Sequence, residues 1–284
     1  MTNAKVTSLS EFVATVRKLR ESWRTPPHLE LWFRGESRPH DTLLRPELFR
    51  PRSNLPLKPT AELLKIENDL YEDFRRCAIQ LSTETVPDDD WDWDSYFLMQ
   101  HHGGPTRLLD WSDGALMALH FALRNKNDER SDAVVYVMEP YRLKERIMAE
   151  PEIEIVKTKW RTYVEKNPSQ ELDADDWDRT YLPSDDEELA ELPIPVVPLL
   201  LDFPHITRRV AAQRSRFMVF GTAAVWLSEE LERADSPLRA IAIDGAFGSK
   251  IRLELRDSGV TESVIFPDLD GLGRELRQLW DDRK

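Results

Sequence analysis

The sequence predicts an α+β fold with flanking helices, and three observations carry that expectation. Apolar side chains recur at helical spacing over 9–23, 60–80 and 270–280. Ala133–Met138, Val196–Leu201 and Ala240–Ile243 are short aliphatic runs of strand length. The 284 residues, 40% hydrophobic and 32% charged, suit one large domain or two small ones around a substantial core. No internal repeat divides the chain.

Ser8 and Glu11 match a capping box. Phe12, Val13, Val16, Leu19 and Trp23 then form the apolar face of a helix over 9–23, closed by Pro26-Pro27. Leu29–Phe33 reads as a strand that delivers Arg34-Gly35 at its end. A guanidinium beside a glycine makes a corner that suits an anion, and a surface arginine paired with Glu36 is the plainer alternative. The proline- and arginine-rich 37–59 predicts an ordered loop of polyproline character. Thr60 caps a helix through Gln80, with Leu63, Leu64, Ile66, Leu70, Phe74 and Ile79 turned to the core and Cys77 packed normally. An acidic turn over 88–94, holding two tryptophans, leads to a helix over Tyr96–Met99. A short apolar helix from Ala115 to Leu123 follows, in which His120 reads as a satisfied core histidine, and Ala133–Met138 is a buried strand.

Residues 150–195 are strongly acidic, with Trp160 and Trp177 interspersed. They predict a helical or partly mobile insertion, most simply a solvated excursion, whose charge suits a partner surface. Strands over 196–201 and 217–220 flank Arg208, Arg209, Arg214 and Arg216, four arginines within nine residues of an acidic protein. Such contrast points to a phosphate-bearing or otherwise anionic ligand. A strand at 240–243, a helix at 250–255 closed by Gly259, a strand at 264–266 and a helix at 270–280 complete the chain.

A formal net charge of −13 argues against extended DNA or RNA binding, though not against a local basic cleft. One cysteine excludes an intramolecular disulfide. The first eight residues hold no apolar signal region, and no run approaches the roughly 20 apolar residues of a membrane span. The expectation is a soluble, cytoplasmic protein without a membrane partner.

The densest chemistry lies in Gln100-His101-His102-Gly103-Gly104-Pro105-Thr106-Arg107-Leu108-Leu109-Asp110-Trp111-Ser112-Asp113. Two imidazoles, a guanidinium, a carboxylate and a carboxamide crowd a Gly-Gly-Pro turn. The turn can equally be a mere connection, with Arg107 and Asp110 an ion pair and Ser112 or Asp113 an N-cap. Adjacent histidines point in different directions on a strand, so a shared metal is disfavoured and no metal ligands are assigned.

Phe33-Arg34-Gly35, the Gln100–Ser112 stretch, Gln213-Arg214-Ser215-Arg216-Phe217 and Phe266-Pro267-Asp268-Leu269-Asp270-Gly271-Leu272 resemble the FRG domain, a bacterial and phage family. The resemblance runs from about Leu31 to Leu276, as one domain, with 150–195 its least typical part. The order of motifs is also similar to ADP-ribosyltransferases, which bind NAD in a split β-sandwich. That likeness implies a split β-sandwich core, NAD as substrate, and a cofactor-binding set of Arg34, Gly35, Thr106, Arg107 and Ser112. It implies catalytic roles for His101, His102, Asp110 and Gln213, and acceptor binding by Arg208, Arg209, Arg214 and Arg216. An arginine would hold the pyrophosphate, and polar groups would steady an oxocarbenium-like state. The transferase glutamate has no match in this order, because Gln213 is neutral. Asp110 is the carboxylate available, or the site binds a ligand without reacting it.

Two functions follow from the resemblance. One is an NAD-dependent ADP-ribosyltransferase-like effector, a toxin or anti-phage defence protein, acting on a macromolecular acceptor (RNA or protein). The other is a non-catalytic module sensing a nucleotide or phage component. A toxin with an acidic insertion implies a neutralising protein partner or antitoxin.

Overall fold

The computed structural model describes residues 5–37, 44–51, 56–81, 93–124, 131–170, 172–201, 214–281 and 283. Six strands, β1 (Trp32–Glu36), β2 (Leu108–Ser112), β3 (Ala133–Met138), β4 (Leu199–Leu201), β5 (Ser215–Val219) and β6 (Leu238–Ile243), form one antiparallel sheet in the order β4-β5-β2-β1-β3-β6. The helices are α1 (Leu9–Trp23), α2 (Thr60–Leu81), α3 (Trp93–His101), α4 (Ala115–Arg124), α5 (Pro140–Met148), α6 (Pro151–Lys166), α7 (Asp186–Glu191), α8 (Trp226–Glu232), α9 (Gly248–Asp257), α10 (Glu262–Ile265) and α11 (Leu269–Asp281). The α+β class holds.

The sheet is not uniformly zipped. β1 pairs with β3 at five positions and β2 with β5 at five, yet β1 and β2 meet only at Phe33 and Ser112. Without a ladder, the sheet opens there into the halves β4-β5-β2 and β1-β3-β6. One face keeps a continuous core across the seam, where Trp32, Val134 and Tyr136 join Leu109, Trp111 and Met218. The opposite face has two cores. α1, α4 and α9 cover β1-β3-β6 with Phe12, Leu119 and Ile251, joined by Phe266 after α10, while α2, α3 and α6 cover the other half with Tyr71, Phe97 and Trp160.

Several elements depart from expectation. The first strand starts at Trp32 and runs through Arg34 and Gly35, which pair with Tyr136 and Val135. Gly35 is required by packing: a Cβ there would lie 1.8 Å from the Ala118 carbonyl oxygen, so the glycine lets α4 lie flat on β1. Only half of the expected capping box forms, since Ser8 Oγ accepts from the Glu11 N–H whereas Glu11 accepts from the Thr7 N–H. α1 ends at Arg24, left-handed at φ 55°, before the prolines. On α2 the exposed Leu70 turns outward and Glu67 takes a buried place; Cys77 is exposed rather than packed. The side chain of Ile79 and most of 88–94 lie outside what is described. Residues 264–266 form no strand. Val264 and Ile265 close the short helix α10, and Phe266 caps it with its N–H on Glu262 O.

The largest correction concerns 150–195. Many of its charged residues face solvent, but Trp160, Tyr181 and Leu182 are fully buried against β4 and β5. Trp160 also donates from Nε1 to the Asp173 carbonyl at 2.8 Å. The segment is thus part of the core and no solvated excursion. Trp160→Ala should destabilise the whole fold by about 3–5 kcal/mol, read as a lower urea midpoint with an unchanged slope.

Candidate functional site

The central motif divides into a structural half and a cleft-lining half. Arg107 is wholly buried and bridges the molecule. Its Nε donates to Glu67 at 2.5 Å, Nη1 to the Phe220 carbonyl at 2.9 Å and Nη2 to the Tyr181 carbonyl at 2.5 Å. Glu67 also accepts from the Arg107 N–H at 2.9 Å and from the Tyr96 hydroxyl. Burial opposes the charge on Arg107, but the Glu67 carboxylate outweighs it and keeps the guanidinium above its ordinary pKa. Burial and the same carboxylate push the Tyr96 phenol far up. Arg107 is therefore committed to the interior rather than to the cleft, and its ion pair is with Glu67, not Asp110. Thr106 is likewise internal: its hydroxyl bonds Gln100 and accepts from the Leu108 N–H at 3.2 Å.

The other half faces a cleft of about 420 Å³ at the seam between β1 and β2. Arg34, Gly35, His101, Asp110 and Ser112 all line it, as do Glu36, Arg50, Gln100 and Trp111. Alternation along β1 puts Arg34 and Glu36 on one face. Arg34 Nε donates to Glu36 at 3.0 Å, and Nη1 crosses the seam to the Asp110 carbonyl at 2.8 Å, where no ladder exists to occupy it. The Asp110 side chain is at the exposed point of β2 and accepts from Gln100 at 3.1 Å. Ser112 Oγ accepts from the Gly114 N–H at 3.0 Å, closing the turn into α4. Aromatic rings from both cores form walls, with Phe97–Phe217 centroids 4.6 Å apart and Phe121–Phe266 5.9 Å apart.

Glu36 is the residue that sequence reasoning missed. It is buried, lines the cleft beside Arg34 and Arg50, and leaves Oε2 without a hydrogen-bond partner. Arg50 Nη2 stands 3.9 Å from its other oxygen, and burial, then the neighbouring Arg34 charge, lowers the Arg50 pKa. Trp111 Nε1 is a buried donor without a partner in the same cleft. Glu36 and Trp111 thus each carry an unmatched, buried polar atom at the wall of one cavity. The available signal was period-two spacing, which puts Glu36 beside Arg34 once Arg34 is read inside the strand rather than at its end.

The remaining expected residues scatter. His101 ends α3 at the cleft, whereas His102 is exposed, with its ring centroid 5.2 Å from that of His101. Arg216 is committed to Glu30 at 2.8 and 2.9 Å and to Asp113 at 2.8 Å, and Arg214 pairs with Asp113. These acids neutralise the two arginines, so they form no open basic patch. Arg208, Arg209 and Gln213 lie outside the described residues. His120 is satisfied as expected, by Glu262 at 3.1 Å. Burial would raise the Glu262 pKa, but hydrogen bonds from Arg274 and Arg124 outweigh it and hold the carboxylate low. Both arginines also stack on Phe266, 4.1 and 4.7 Å from its centroid, fixing this ring of the cleft wall.

The FRG domain family model matches residues 29–131. That span contains β1, α2, α3, β2 and α4, and so both sides of the seam. Phe217 and Phe266 complete the cleft from beyond it. No curated protein and no solved structure matches the chain. No helix among the described residues is long and apolar enough to cross a membrane.

Two outcomes test this division. Glu67→Gln should cost about 3–5 kcal/mol by stranding the Arg107 charge, while exposed Asp110→Asn should change stability by no more than about 0.5 kcal/mol in the same denaturation assay. Desolvation lowers the His120 pKa below its ordinary 6.5, so its contribution to stability is complete above that value and is lost as pH falls toward the lowered folded value. His120→Gln should flatten the dependence of the urea midpoint on pH just below 6.5.

Proposed function

We propose that this protein is an ADP-ribosyltransferase-like effector that uses NAD as substrate and modifies a macromolecular acceptor, RNA or protein. One observation carries the reading: at the open seam of the sheet, Arg34 and the half-paired Glu36 face an aromatic-walled cleft. Its volume falls within the roughly 300–1,000 Å³ of small-molecule sites. The seam, where β1 and β2 share a single pair, supports a split-sandwich core.

In this reading the unused N–H groups of Arg34, with Arg50 beside them, bind the pyrophosphate, for which two guanidiniums over one carboxylate leave spare positive charge. The aromatic walls take the nicotinamide ring. Glu36 Oε2 accepts a ribose hydroxyl and stands by the oxocarbenium-like centre, the role that neutral Gln213 cannot fill. The C1′–N bond breaks with its electrons leaving on nicotinamide, an acceptor lone pair bonds C1′, and the acceptor's proton passes to His101 or Asp110. An activity of this kind fits a bacterial or phage toxin or defence protein held in check by a neutralising partner.

A non-catalytic nucleotide sensor is the second reading. It is favoured by the tie between Glu36 and Arg34, which leaves one carboxylate oxygen for a ligand.

With labelled NAD and a cell extract, the wild type should transfer label to RNA or protein. Arg34→Ala and Glu36→Gln should each lower transfer by about 100-fold or more with the fold retained by circular dichroism, and Asp110→Asn should also lower it. Saturable NAD binding lost in Arg34→Ala, without transfer or nicotinamide release by the wild type, would establish the sensor instead.

A further inference from the structure

The closing helix α11 is docked with its polar side inward. Gly271 is buried, and a Cβ there would sit 2.0 Å from the Phe266 carbonyl oxygen. Arg274 Nε bonds Glu262 at 3.0 Å, and the Glu275 carboxylate accepts from the Ser263 N–H at 2.9 Å. The apolar side is thereby left to solvent: Leu269, Leu272, Leu276 and Trp280 are 85%, 44%, 56% and 62% exposed. At about 100° per residue these four side chains fall within roughly 80° of the helix circumference, the narrow seam by which one helix packs on another.

We propose that this stripe is a dimerisation surface on which α11 of a second copy of the chain lies antiparallel. Three features favour a second copy. First, the stripe complements itself. With the two-fold axis between Arg274 and Glu275, Leu269 of each copy faces Trp280 of the other, and Leu276 faces Gly273. Second, Gly273 has no atom within 4 Å of the Cβ position, which leaves a gap for the opposing leucine. Third, Asp270 and Arg277 lie about 20° apart on one flank of the stripe, and neither has an ion pair within the chain among the described residues. Antiparallel pairing brings Asp270 of each copy near Arg277 of the other, so the two-fold axis creates two reciprocal ion pairs. Of the other charged groups of the helix, Arg274 and Glu275 already serve the chain's own α10.

Sedimentation equilibrium on the full chain tests the proposal. The wild type should show a concentration-dependent dimer. Leu272→Glu combined with Leu276→Glu should be monomeric with an unchanged circular dichroism spectrum, since both positions are exposed. Arg277→Asp should weaken association about tenfold by setting like charges opposite one another, and adding Asp270→Arg should restore it. A wild type that stays monomeric at every concentration would overturn self-association and leave the stripe to a different protein. A dimer indifferent to the double glutamate variant would place the interface elsewhere. Failure of the charge exchange to restore association would refute the antiparallel arrangement.

Discussion

Arg107 carries its charge in the interior, among groups drawn from four other parts of the chain. Glu67 comes from α2, Tyr96 from α3, the Tyr181 carbonyl from the acidic segment and the Phe220 carbonyl from the end of β5, all meeting at the head of β2. A guanidinium is well suited to this place because its planar fork reaches several acceptors at once. Since a buried charge without partners is far costlier than a paired one is favourable, the elements that supply those partners are held in one arrangement. The direction in which β2 leaves the network sets where Asp110, Trp111 and Ser112 stand.

The cleft follows from a missing ladder. β1 is fully paired to β3 and β2 to β5, but the two central strands share one pair, so helices on the opened face cover each half separately. The space between the two helical layers receives rings from both cores and, through the seam, the charged side of β1. Arg34 occupies the gap by bonding a β2 carbonyl, which ties this cation to the defect in the sheet that opens the cleft. Phe266, clasped by Arg124 and Arg274, extends that rigidity to the C-terminal wall.

Much of this was legible in one dimension. Helices with long apolar periodicity and the uniformly buried strand Ala133–Met138 emerged almost as expected, because burial imposes a period that local residues must satisfy. The Phe33-Arg34-Gly35 and Gln100–Ser112 motifs do contribute to one cleft. Other expectations failed for nameable reasons. Residues 264–266 have strand composition, but the short helix α10 seats Phe266 between two arginines. Acidity in 150–195 describes the outer side of its helices and says nothing of Trp160 and Tyr181 beneath. The arginines at 214 and 216 look like an anion site until Glu30 and Asp113, remote in sequence, are brought against them.

By itself, then, the sequence determined the class of fold, most of its elements and the two stretches that contribute to the cleft, since periodicity, turn residues and charge are local properties. Tertiary structure alone decided which polar residues are committed. Arg107 went to the interior and Arg34 to the cleft, though Arg34 stands in a central strand and Arg107 just before the next. Glu36 became an acceptor with a spare oxygen while Glu67 became a counter-ion. The physical reason is that a charged group's role depends on which partners and how much water surround it, and those partners arrive from segments tens of residues away.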